Sequence, residues 1–311
     1  MNRTEEIIYR IITISFKILG CLPLAYLRQL GRLIGRLLFL IDKKHRTITM
    51  ENLTYAFGRD KGAVEIRNIA CKVFENLIQI PFEMTLIPRL QRKDMGSLIK
   101  VEGLHHLDTA HQKGRGVLVL TAHIGNWELI PAVVSLLEYP ISIVARPLDL
   151  KPLDTFVSKL RTWHGGKIIP KKFSMRTVLK SLQQGDLVGV LLDQNANRRD
   201  GVFVDYFGRP TSTTKGFTFL AMKTKAPIVP VFLVRTNAHY KMWSMPEVPL
   251  TESGDRTKDI RVNTQVCTKI IESAVRQYPA QWFWVHRRWR TRPCRGNRGN
   301  RARLKAVKTV P

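Results

Sequence analysis

Cysteine is scarce in this chain of 311 residues: Cys21, Cys71, Cys267 and Cys294 lie far apart, and no C-x-x-C pair exists. That excludes a disulfide framework and a cysteine-rich zinc module, and it suits a reducing compartment. Acidic charge is short as well. Asp+Glu number 24 against 51 Lys+Arg, a formal net charge of +27. Two stretches hold no carboxylate, from Ile7 to Ile41 and everything after Glu272. Gly-x-Ser-x-Gly is missing, so the elbow that presents a serine nucleophile is excluded. His-x-x-x-His and His-Glu-x-x-His are missing too, which removes the helical zinc motifs.

Long apolar runs are also lacking. A bilayer span takes about 20 consecutive apolar residues, and the best window, Ile11 to Leu27, is broken by Lys17, Gly20 and Pro23. It is a marginal span, and without a small-residue cleavage site it is no signal peptide either.

What is present begins with 44% hydrophobic residues, enough for a core of one large domain or two smaller ones. The excess of positive charge implies an anionic partner: nucleic acid, an acidic protein or an anionic membrane surface. Arg28, Arg32 and Arg36 recur every fourth residue among Leu27, Leu30, Leu33, Leu37 and Leu38. On a helix they form one stripe, the pattern of a segment lying in the headgroup layer with arginines toward phosphates. The competing reading is an amphipathic helix packed on the protein's own core. Residues 1–42 are read as a membrane-associated helical segment, 43–293 as an α/β domain, and 294–311 as a basic, flexible tail.

Within 43–293, Ala63–Ile80 has helical periodicity, after which short apolar runs appear at Val117–Leu120, Ile141–Val144, Leu187–Leu192 and Ile228–Val234. Helical patterns at Trp127–Glu138, Asp154–Trp163, Met175–Gln184 and Lys215–Lys225 lie between them. This alternation predicts a mainly parallel central sheet flanked by helices, with the ligand site beyond the carboxyl ends of the strands.

The loop to read is then His123-Ile124-Gly125-Asn126-Trp127-Glu128, which follows the first of these strands. A histidine there can exchange a proton near neutral pH, and Glu128 is expected to hold its second ring nitrogen. Asn126 fits a helix N-cap. Arg146 ends the next strand, where its fork suits an oxyanion or a phosphate. Asp193 and Gln194 end the Leu187–Leu192 strand, and each is read either as a substrate contact or as a loop-starting residue. Thr213, Thr214 and Lys215 open a helix, where free N–H groups and a cation make an anion site. Trp282, Trp284 and Trp289 among arginines fit an interfacial belt or, for the first two, a core strand.

His-x4-Glu after an apolar strand resembles the H-x4-D/E motif of glycerolipid acyltransferases, and TAHIGNWELIP resembles the late acyltransferases of lipid A synthesis. VARP (Val144–Pro147), LLDQN (Leu191–Asn195), GVFVDYFGRPTSTTKG (Gly201–Gly216), APIVPVF (Ala226–Phe232) and WFWVHRRWRTRP (Trp282–Pro293) follow in the same order. The F-P-E-G-type phosphate motif of the glycerol-phosphate group is absent. The family commonly has an Asn shortly after Arg-Pro, where this chain has Leu148-Asp149-Leu150.

The resemblance implies transfer of a fatty acyl chain from acyl carrier protein to a hydroxyl of a phosphorylated lipid A precursor. It implies work at the cytoplasmic side of the inner membrane, against anionic lipid, with no cofactor and no metal. His123 would be the general base with Glu128 beside it, and no acyl-enzyme would form. Asn126, Arg146, Asp193, Gln194, Thr214 and Lys215 would serve substrate. Phosphatidylinositol mannoside acyltransferases, which use a coenzyme A thioester, resemble this family too. A basic RNA-binding module is the rival class; the Arg/Gly/Asn tail suits it, but no nucleic-acid recognition motif is found and none is expected to bind.

Overall fold

The computed structural model describes residues 2–171 and 174–293. The expectation for 294–311 lies outside the described residues.

Four helices come first: α1 (Arg3–Gly20), α2 (Leu24–Ile41), α3 (Lys43–Phe57) and α4 (Ala63–Glu83). Asn2 and Glu5 close a capping box on α1, and Pro23 separates it from α2. No described helix is long and apolar enough to cross a membrane.

Helix α2 turns one arginine of its stripe, Arg28, inward and leaves Arg32 and Arg36 exposed. Leu27, Arg28, Gly31, Gly35 and Phe39 are its buried residues. The glycines let the α2 and α4 backbones meet, for a Cβ on Gly35 would lie 2.5 Å from the Glu75 Cα. Arg28 is thereby carried inward to Glu83, and Arg36 is held by Glu75 at 2.6 Å. Beside the exposed Arg32 and Arg36 runs an open aliphatic row: Leu30, Leu33, Leu37, Leu40 and Ile41, continued by Ile7, Ile11, Ile14 and Ile18 of α1.

The remainder is α/β. Strands β1 (Ile99–Glu102), β2 (Val117–Thr121), β3 (Ile141–Ala145), β4 (Lys167–Pro170), β5 (Leu187–Leu191), β8 (Ile228–Arg235) and β9 (Tyr240–Ser244) form one sheet in the order β1-β9-β8-β2-β5-β3-β4. Every neighbouring pair is parallel except β8 with β9. A separate antiparallel hairpin joins β6 (Gly201–Tyr206) to β7 (Arg209–Thr214), with Phe207 and Gly208 both at positive φ in its turn. Helices α5 (Leu104–His111), α6 (Ile130–Leu136), α7 (Lys151–Arg161), α8 (Ser174–Gln183), α9 (Gly216–Thr224) and α10 (Arg256–Gln277) are the remaining α-helices among the described residues.

The sheet is buried on both faces, as a parallel sheet requires. Along β2, Leu118 and Leu120 enter one core with α4, α8, α9 and α10, while Val117 and Val119 enter the other with α6 and α7. Trp282 and Trp284 belong to the first core and are 1% and 0% exposed, so the structure places them in the interior and not in a belt.

Candidate active site

The carboxyl ends of β2, β3 and β5 open onto a cleft of about 510 Å³. Its deeper wall is hydrocarbon, from Val119, Ile130, Ile141, Ile143 and Val190. Gly189 lets that wall recede, since strand β5 presents no side chain there. His123, Glu128, Arg146, Arg161, Gln194 and Thr214 supply the polar rim.

His123 follows β2 and is held from several sides. The parallel register pairs Thr121 with Leu191, which sets the residues two steps on, His123 and Asp193, beside each other. Asp193 Oδ1 lies 2.8 Å from His123 Nδ1, and Oδ2 accepts the His123 backbone N–H at 2.9 Å. The Trp282 indole N–H donates to the same Oδ2 at 2.7 Å. Burial alone would push the Asp193 carboxyl up, yet the His123 ring and these donors hold it below the usual carboxylate range. With Nδ1 given to Asp193, Nε2 faces the cleft, 3.4 Å from the Gln194 amide nitrogen.

The expected Glu128 contact is replaced by another. Arg161 takes both Glu128 oxygens at 2.7 Å, and the Trp127 indole N–H donates to Oε1 at 3.0 Å. Glu128 therefore does not bond the imidazole. It steadies Trp127, whose ring meets His123 edge to face at 5.0 Å. Desolvation acts against the Arg161 guanidinium, but the Glu128 carboxylate raises its pKa on balance.

The turn between these residues is fixed by close approach. Gly125 has φ +62, and a Cβ there would fall 2.0 Å from the Leu233 carbonyl oxygen. Its N–H donates to the Gln281 carbonyl, and Phe283 N–H donates to the His123 carbonyl. Asn126 makes no side-chain cap. It is buried, and its amide donates to Glu83 Oε2 at 3.0 Å. Glu83 is a fully buried carboxylate that also accepts from Arg28 at 2.8 Å and from Arg235 at 2.6 Å. Burial works to raise its pKa, and the two guanidiniums outweigh that and lower it.

The other expected residues divide. Arg146 reaches the cleft rim but is exposed and bonded to Asp149 at 3.0 Å. Thr214 lines the cleft. Lys215 does not line it; its ammonium donates to the Arg199 carbonyl at 2.9 Å. The hydroxyl of Thr213 is likewise committed, accepting from Arg288.

Arg288, which nothing in the sequence distinguishes from the arginines beside it, is 1% exposed and donates to the carbonyls of Gln194 and Ser212. Burial lowers its pKa to about 10, so it stays charged at neutral pH. It fixes the backbone of Gln194, whose side-chain amide lies beside His123 Nε2.

The chain matches the family described as bacterial lipid A biosynthesis acyltransferase over residues 2–291. It is 26% identical over 275 residues to the lipid A biosynthesis palmitoleoyltransferase of Escherichia coli K12, covering 88% of this chain and 87% of that one. The lauroyltransferase of the same organism is 26% identical over 276 residues, covering 88% of each. A phosphatidylinositol mannoside acyltransferase of Mycolicibacterium smegmatis is 26% identical over 206 residues, covering 65% of this chain and 66% of that one.

Proposed function

The chain belongs to the bacterial lipid A biosynthesis acyltransferase family, and on that footing we propose that it moves a fatty acyl group from an acyl carrier protein thioester to a hydroxyl of a lipid A precursor. The observation that carries the reading is the Asp193–His123 pair at the mouth of a hydrocarbon-walled cleft. An acyl chain lies against Val119, Ile130, Ile141, Ile143 and Val190, with its thioester carbon near the His123 ring.

Nε2 of His123 takes the proton of the acceptor hydroxyl, and the alkoxide oxygen bonds to the thioester carbonyl carbon. Asp193 keeps the Nδ1 proton in place and stabilises the imidazolium, the division of labour expected of a carboxylate–histidine pair. The tetrahedral oxyanion is stabilised by donors on the rim, the Gln194 amide and the Arg146 guanidinium. Collapse breaks the carbon–sulfur bond, and the leaving thiolate takes the proton back from Nε2. The acyl group passes directly to the acceptor.

The exposed aliphatic rows of α1 and α2 lie against the cytoplasmic side of the inner membrane, where the acceptor resides. Purified protein supplied with acyl carrier protein thioester, coenzyme A thioester and a lipid A precursor tests the reading. Acylated lipid formed from the carrier-protein donor supports it. Use of coenzyme A alone moves the donor assignment, and no lipid product from either donor contradicts the reading.

A further inference from the structure

A second cavity, of about 670 Å³, opens beside the active site and is lined by Lys44, Asn195, Asn197, His286, Arg287 and Arg290 with Ile48, Val285 and Thr291. Among the described residues no carboxylate lines it. Lys44, Arg287 and Arg290 are exposed, and none is ion-paired with a described carboxylate. Lys44 is close enough to Asp42 to help lower its pKa, but that carboxylate is bonded to His45.

The floor is rigid. Asn195 N–H donates to His286 Nε2 at 3.0 Å, its amide bonds the Thr291 hydroxyl at 3.0 Å, and Asn52 donates to the carbonyls of Trp284 and His286. Arg288 turns inward between Arg287 and Arg290 and anchors the segment that carries both. Three cations from two parts of the chain thus surround a concavity held in place without an anion of the protein's own.

Position gives the cavity its meaning. Gln194 lines the active-site cleft and Asn195 lines this one, so a single residue step separates them. Of the two cations that the sequence suggests for a phosphate, Lys215 is engaged by a carbonyl and Arg146 stands on the rim of the active-site cleft, where acyl transfer uses it. We infer that this cavity binds a phosphomonoester of the glycolipid acceptor, holding the headgroup while one of its hydroxyls lies at His123. The inference rests on the proposed acyl transfer for the identity of the ligand, though not for its phosphate chemistry. Guanidinium and ammonium groups are suited to such a dianion, and the volume admits a sugar phosphate.

The test compares the full chain with Arg287→Ser/Arg290→Ser and, on the other wall, Lys44→Ser. Each is assayed with the phosphorylated lipid acceptor and with the same lipid after phosphatase treatment. The preference for the phosphorylated acceptor, as a ratio of kcat/KM values, is expected to fall about tenfold or more, the loss that removal of charge-assisted contacts implies. Inorganic phosphate, titrated against each protein by phosphorus NMR, should bind the wild type and bind the variants more weakly. Equal loss of kcat/KM on both acceptors, undiminished phosphate binding, or loss that only parallels weaker binding to phosphatidylglycerol vesicles would overturn the assignment. If the wild type transfers no acyl group yet its phosphate binding depends on these three residues, the cavity stands and the acyl-transfer reading falls.

Discussion

Asp193→Asn and Glu128→Gln, made separately, divide the roles of two carboxylates that both sit near His123. Asp193 is fully buried and accepts three hydrogen bonds, two on Oδ2 and one from the ring on Oδ1. An asparagine has one acceptor oxygen. It keeps the Oδ2 position, where the His123 and Trp282 N–H groups both need an acceptor, and so turns its NH₂ toward Nδ1. The ring then has to accept at Nδ1 and carry its proton on Nε2, the atom that faces the cleft. A base protonated at its working atom cannot take a proton from the acceptor, and kcat should fall by about 10²–10⁴-fold, the usual worth of general base catalysis. Glutamine at 128 leaves an oxygen for Arg161 and alters no atom of the imidazole, so kcat should fall by about tenfold at most, well short of that range. The assay is initial-rate acyl transfer from a labelled thioester, with near-UV circular dichroism as the check on folding. Near wild-type turnover in Asp193→Asn, or a hundredfold loss confined to Glu128→Gln, would refute the reasoning.

Removing Glu83 with alanine strands two buried guanidiniums, so the unfolding free energy should drop by about 3–5 kcal/mol, read from urea melts; an unchanged midpoint would mean the cluster is solvated. Gly125→Ala places a methyl against the Leu233 carbonyl in a left-handed turn, and a Michaelis–Menten series should show a lower kcat from a misplaced His123, whereas an unchanged kcat would show that the turn yields freely. Stability should fall with acid in two stages. His286 is half-buried, with its pKa lowered to about 4 by desolvation, so its contribution is complete above the free histidine value of about 6.5 and lost as pH falls toward about 4. The lowered carboxyls of Asp193 and Glu83 contribute above the unfolded carboxylate range and are lost as pH falls through their own, lower values. Thermal melts from pH 7 to 3 should show the first stage removed by His286→Gln, and a first stage that persists would place its origin elsewhere. Leu33→Ser/Leu37→Ser should weaken sedimentation with anionic vesicles while leaving the melting temperature nearly unchanged, and full retention on the vesicles would argue against a lipid-facing α2.

The sheet was legible where its strands are buried on both faces. The apolar runs at 117–120, 141–144, 187–192 and 228–234 became β2, β3, β5 and β8, within a residue or so at each end. Strands β1 and β4 are only four residues each, and β7 is rich in threonine and serine, so hydrophobicity alone did not mark them. His123 was found because it follows a strand in sequence. Its partner was not, because Asp193 comes to it across strand neighbours, and which strand lies beside β2 is set by topology. Knowing that β5 adjoins β2 in parallel would have sufficed, for the register carries on from Thr121 and Leu191 to the pair. The arginine stripe of α2 was legible only in part: a four-residue spacing does not say that Arg28 alone turns inward while Arg32 and Arg36 stay exposed, whereas Gly31 and Gly35 did mark the side that meets another helix.

Single-turnover transfer by His123→Ala, with labelled acyl thioester bound before a lipid A precursor is added, probes the proton acceptor itself. A product-forming rate lower by two orders of magnitude or more (about the contribution of a general base), with donor still bound and no label attached covalently to the wild-type protein, is the expected result. Wild-type rates in that variant, or an acylated side chain isolated from the wild-type enzyme, would contradict direct transfer from thioester to alcohol under an imidazole base.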